Sequence, residues 1–153
     1  MLAIGGGSVA LWRPGLVAGH LSEAGNGVMR AVALAVLDGV LPTEPMRQEA
    51  ALQAHMARLD AAIAAFPPAT RSELSQLLAL LATPAGRWAL AQLSTPWEHA
   101  TVGQVQAALQ SMRHASLGLR QQAYHALRKV TAAAYFADRS TWPALGYPGP
   151  LPI

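Results

Sequence analysis

Residues 52–68 read LQAHMARLDAAIAAFPP, and the spacing of their large apolar side chains decides the fold. Leu52, Met56, Leu59, Ile63 and Phe66 step by 4, 3, 4 and 3, which lines them along one face of a helix and along neither face of a strand. Pro67-Pro68 ends the run, because a proline disfavours helical backbone in the residue before it. Upstream, Thr43 is placed to cap the same helix, with Pro45 in its first turn, where a missing N–H does no harm. Further upstream, residues 27–41 are apolar nearly all round. They read as a buried first helix closed by Leu41-Pro42. Downstream, Thr70 and Glu73 have capping-box spacing, and Leu74, Leu77, Leu78 and Leu81 follow on one face. Thr83-Pro84 opens a short helix carrying Trp88, Leu90 and Leu93. STPWEHA, residues 94–100, holds a second box in Thr95 and Glu98 and suits a single turn. Thr101 and Gln104 open a fifth helix with the stripe Val102, Val105, Leu109 and Met112. After a break near His114–Ser116, the stretch 117–137 places Tyr124, Leu127, Thr131 and Ala134 on a shared face. No alternating strand run is visible. The expected fold is all-α, a compact bundle of five or six helices over residues 27–138, with an extended Pro/Gly/aromatic tail over 139–153.

The composition narrows the function classes. Of 153 residues, 52% are hydrophobic and only 12% charged, against the ~25% charged residues of an ordinary domain. So thin a charged shell leaves apolar surface uncovered and favours a partner or an oligomer. The pI of ≈ 10.0 rests on a net charge of only +3. The basic residues are scattered, so no phosphate-tracking stripe forms and nucleic acid is not an expected partner. Cysteine is absent, which removes disulfides, thiolate metal sites and thiol catalysis. No window reaches the ~20 apolar residues of a membrane span; VMRAVALAVLDGVL at 28–41 comes nearest and is interrupted by Arg30 and Asp38. Residues 1–26 read either as an export leader truncated at its start, with GGGSVALW as its apolar core, or as an ordinary apolar N-terminal segment.

Candidate chemistry is sparse. His20, His55, His99, His114 and His125 have no His, Asp or Glu four residues away, so they read as surface or core-edge side chains rather than metal ligands. Glu44, Glu73 and Glu98 are accounted for as first-turn residues, and Asp60 lies on the polar face of its helix. Asp38 sits in an apolar run, where it is expected to be buried against an arginine. Ser111, Ser116 and Thr131 lack a nucleophile elbow, and GGGS at 5–8 lacks the lysine of a phosphate loop. No catalytic, cofactor or metal residue is assigned. The polar face Gln121, Gln122, His125, Arg128 and Lys129, beside Tyr135 and Phe136, reads as a solvated surface or as an interface rich in Arg and aromatic side chains.

The tail is the most distinctive segment. TWPALGYPGP, residues 141–150, combines Trp142 and Tyr147 with three prolines and two glycines. Pro143, Pro148, Pro150 and Pro152 remove N–H donors, which argues against helix or central strand, while Gly146 and Gly149 permit tight turns. A stiff segment carrying large rings loses little entropy when it docks. AYHALRKVTAAAYFADRSTWPALGYPGP, residues 123–150, resembles the C-terminal region of the gluconate 2-dehydrogenase subunit 3-like proteins and related twin-arginine-leader small subunits. The matching positions are Tyr135, Phe136, Trp142, Gly146, Tyr147, Pro148 and Gly149. This resemblance implies a non-catalytic accessory, maturation or export subunit that binds these residues to a large FAD-dependent dehydrogenase of the glucose–methanol–choline type. FAD would then sit on the partner, with a cytochrome c subunit as a further partner and the periplasm as the compartment. One feature departs from the pattern: no Arg-Arg pair precedes the N-terminal apolar run, and without such a leader the expected compartment is the cytoplasm. Two rival readings are a self-associating helical protein and a small all-α enzyme with a pocket around Tyr124, His125 and Arg128.

Overall fold

A computed structural model describes residues 13–149. Among the described residues the chain is all-α apart from a minimal hairpin, β1 (Leu16–Val17) and β2 (His20–Leu21). Six helices follow: α1 (Glu23–Val36), α2 (Pro45–Ala64), α3 (Pro68–Ala82), α4 (Pro84–Ala91), α5 (Val102–Arg113) and α6 (Gly118–Phe136). Two short 3-10 turns, Arg139–Thr141 and Pro143–Leu145, end the described chain. None of these helices is long and apolar enough to cross a membrane.

Helix α1 is the hub and packs against α2, α3, α5 and α6. Its alanines keep that approach close, and Val28, Met29, Val32 and Ala33 are fully enclosed. The apolar stripes read from the sequence meet around it. Leu52, Leu59 and Ile63 from α2, Leu78 and Leu81 from α3, Val105 and Met112 from α5 and Leu127 from α6 are all buried. Phe66 packs half-buried at the edge of this core. Each fully buried Leu or Ile side chain contributes about 1.5–3 kcal/mol through the apolar area it removes from water. Trp88 instead projects into solvent, 65% exposed. On a helix of only eight residues, burying Leu90 turns position 88 to the far side.

Several helix boundaries differ from those expected. Ser22 caps α1 by accepting from the Gly25 N–H at 3.0 Å, so the helix starts earlier. It stops at Val36, and Gly39 then takes a left-handed φ of 85°. Asp38 therefore lies beyond the helix, exposed, and accepts from the Gln106 side-chain amide at 3.2 Å rather than pairing with a buried arginine. Pro45 occupies the first position of α2, which makes Glu44, not Thr43, the cap; its carboxylate accepts from the Met46 and Arg47 N–H groups at 3.1 and 2.9 Å. Pro68 likewise starts α3 early, so Thr70 and Glu73 are already helical and form no capping box. The Thr101–Gln104 box closes at both ends. STPWEHA makes its single turn, with the Pro96 carbonyl accepting from His99 and Ala100.

The hairpin has no alternating run to announce it. Ala18 and Gly19 both have positive φ, 52° and 86°, the geometry of a two-residue turn whose twist matches its strands. Polar clasps hold it down. The Ser75 carbonyl accepts from the Gly15 N–H at 3.2 Å and the Ser75 hydroxyl from the Leu16 N–H at 3.0 Å. The Asp60 carboxylate accepts from the Leu21 N–H and bonds the His20 ring, each at 2.7 Å. Gly25 lets α1 close onto this segment, since a Cβ there would collide with the Gly15 carbonyl oxygen. Residues 15–25 are thus clasped onto the bundle. GGGSVALW lies outside the described residues.

Candidate functional site

At the far end of α6 the chain folds on itself. Asp138 caps the first 3-10 turn, its carboxylate accepting from the Ser140 hydroxyl at 2.7 Å and the Ser140 N–H at 2.9 Å. These two bonds, aided by Arg58 at 3.2 Å, hold its pKa below the ordinary carboxylate value. Pro143 begins the second turn, where its fixed φ fits and its missing N–H is not needed. Residues 139–145 are therefore wound rather than extended. Gly146 closes the turn at a left-handed φ of 69°.

Trp142 is the centre of this cap. Its indole N–H donates to the Phe136 carbonyl at 2.9 Å, the Arg139 guanidinium lies 5.6 Å above its ring, and Tyr147 meets it edge-on at 5.3 Å. Gly149 passes close to the same ring, with Trp142 carbons 3.5 Å from where a Cβ would stand. The residues singled out in the sequence differ in burial. Phe136 and Tyr147 are 55% and 51% exposed, with Leu145 between them at 40%. Gly146 and Pro148 are exposed and shape the turn, while Trp142 and Gly149 are half-buried within it. Tyr135 points the other way, buried, because successive helix residues diverge by about 100°. The outcome is a segment ordered by its own hydrogen bonds, with Phe136, Leu145 and Tyr147 left exposed.

Tyr135 borders a cleft of ≈ 340 Å³ between α2, α6 and the α1–α2 loop, with His55, Arg58, Asp138, Val40, Leu41 and Pro42 also on its walls. His55 is 1% exposed, and neither ring nitrogen has a hydrogen-bond partner among the described residues. Burial, aided by the nearby Arg58 charge, pushes its pKa down to about 4, so the ring is neutral at pH 7. The Arg58 Nε–H is also buried and unpartnered among the described residues, although another nitrogen of that guanidinium reaches Asp138. His55 was expected at the surface or the core edge. Its signal is its position three residues after Leu52 and four before Leu59, which puts it inside the apolar stripe.

Tyr124, His125 and Arg128 meet on α6, the Tyr124 and His125 rings edge-on at 5.2 Å, but they line neither cleft. Tyr124 is buried and its hydroxyl accepts from Arg128 at 2.7 Å, while His125 is exposed. The second cleft, between α1 and α5, is lined by Arg30, Trp97 and Glu98. There Arg30 is already engaged by Glu49, and that hydrogen bond holds the Glu49 pKa low. Among the described residues no three His, Asp or Glu side chains come together as a metal site. No family model matches the chain, and neither curated proteins nor solved structures give a significant match.

Proposed function

We propose that this chain is a non-catalytic accessory subunit that docks on a larger flavin-dependent dehydrogenase through the aromatic face at the end of α6. The observation that carries the reading is the exposure of Phe136, Leu145 and Tyr147 around a tail that is already ordered by Trp142. Large rings held in place lose little conformational entropy on binding, and exposed apolar clusters of this kind mark protein–protein contacts. Arg139 beside Trp142 supplies the Arg-aromatic pairing common at binding hot spots. The flavoprotein as partner, export to the periplasm and a cytochrome c subunit as third component rest on the resemblance of residues 123–150 alone.

The test is a tagged pull-down of the full chain from its native cells, with flavin absorbance and mass spectrometry on the co-purifying protein. A stoichiometric FAD-containing dehydrogenase is the expected partner, with the tagged chain itself colourless when purified alone. Recovery of the chain by itself, or as a homo-oligomer, would refute the subunit reading; the second outcome would instead make the same face a self-association surface.

A further inference from the structure

The cleft beside His55 is a different feature from the aromatic face, and it has the makings of a binding site. It is lined by Val40, Leu41 and Pro42 of the α1–α2 loop, by the face of α2 that runs from Ala51 to Arg58, and by Tyr135, Asp138 and the hydroxyl-bearing residues just beyond α6. Its ≈ 340 Å³ falls in the ~300–1,000 Å³ range of small-molecule clefts. Buried polar atoms are nearly always paired, and those that are not call for an explanation. Here three atoms on one turn of α2 are left over among the described residues: both ring nitrogens of His55 and Nε of Arg58.

The leftover chemistry selects a ligand. Arg58 Nε and the His55 N–H are buried donors without an acceptor among the described residues, and both side chains line the cleft beside the apolar Val40, Leu41 and Pro42. We propose that this cleft binds a short-chain aliphatic carboxylate, its oxygens accepting from Arg58 and His55 and its hydrocarbon lying against Val40, Leu41 and Pro42. Charge sets the condition. Asp138 already balances Arg58 across 3.2 Å, so an entering carboxylate adds an uncompensated negative charge. His55 offsets it by taking up a proton, which also turns its remaining acceptor nitrogen into a donor. Of the charged and titratable groups on the cleft walls, Arg58 lies on the same helix as His55 and Tyr135 and Asp138 come from the α6 side; the α1–α2 loop contributes only Val40, Leu41 and Pro42. An anion beside an imidazole raises its pKa, so affinity must increase as pH falls.

The experiment uses the full chain with isotope-labelled side chains, followed by NMR during titration with sodium butyrate. Butyramide serves as the neutral analogue and sodium chloride as the ionic-strength control. Butyrate is expected to move the His55 ring and Arg58 Nε signals saturably, with affinity about tenfold tighter at about pH 5.5 than at about pH 7.5. Movement of the same signals by butyramide to the same extent, or no movement by either compound, would overturn the proposal. Arg58→Gln, with folding checked by circular dichroism, is expected to weaken butyrate binding about tenfold, in line with a lost charge-assisted hydrogen bond. Unchanged affinity in that variant would also sink it. Neither result depends on whether the aromatic face meets a flavoprotein.

Discussion

His55 shows how one side chain can set a pH response. Its folded pKa of about 4 lies below the ordinary 6.5, so the unfolded chain takes up its proton first as pH falls. The stability tied to the neutral ring is intact above pH 6.5 and is lost as pH drops to about 4. Over that window the loss amounts to about 3 kcal/mol. His55→Leu removes the titration and the unpaired nitrogens together. It is expected to raise the unfolding free energy at neutral pH by about 1–3 kcal/mol and to flatten its acid dependence, both read by urea denaturation at stepped pH. Gly86 poses the opposite case: a Cβ there would collide with the Leu80 carbonyl oxygen. Since backbone cannot swing aside as a side-chain tip can, Gly86→Ala is expected to cost about 1–3 kcal/mol by the same assay. The place of His55 in the apolar stripe was legible, but its lack of a partner and the close approach of backbone to Gly86 come only from packing.

At the scale of elements, the helices were legible and the pieces that join them were not. Apolar spacing located the core faces of α2, α3, α5 and α6 because burial there follows helical period directly. Caps were read less well. A proline at the first helical position moves the cap to the residue before it, as Glu44 and Pro67 show. The hairpin was invisible because strands of two residues cannot display alternation, and its clasps come from Asp60 and Ser75, far along the chain. Asp60→Ala should release it: the Leu21 amide is expected to lose its hydrogen-exchange protection while the α6 amides keep theirs, at a stability cost of about 1–3 kcal/mol. The aromatic cap was half legible. Its composition announced a stiff, ring-bearing segment, but the turn-forming role of Pro143 and the inward direction of Tyr135 emerged only from the folded backbone.

For the molecule as a whole, a sparse charged shell is matched by apolar side chains left in solvent, Trp88, Leu117 and Leu119 among them besides the α6 cap. The bundle's stability should be largely independent of that cap, whose ring contacts are local. Trp142→Ala is therefore expected to leave the melting temperature of the free chain nearly unchanged while abolishing co-purification of the partner. Equal loss of both would mean that the tail is a brace for the bundle instead. The locality of the Trp142 contacts also bears on the order of events during synthesis. Chains leave the ribosome N-terminus first, and Phe136, Arg139, Trp142 and Tyr147 emerge only after all the core-forming stripes. On the docking reading, that face would form on a bundle whose parts are already free to close, and would be the last part of the chain to become available to a partner.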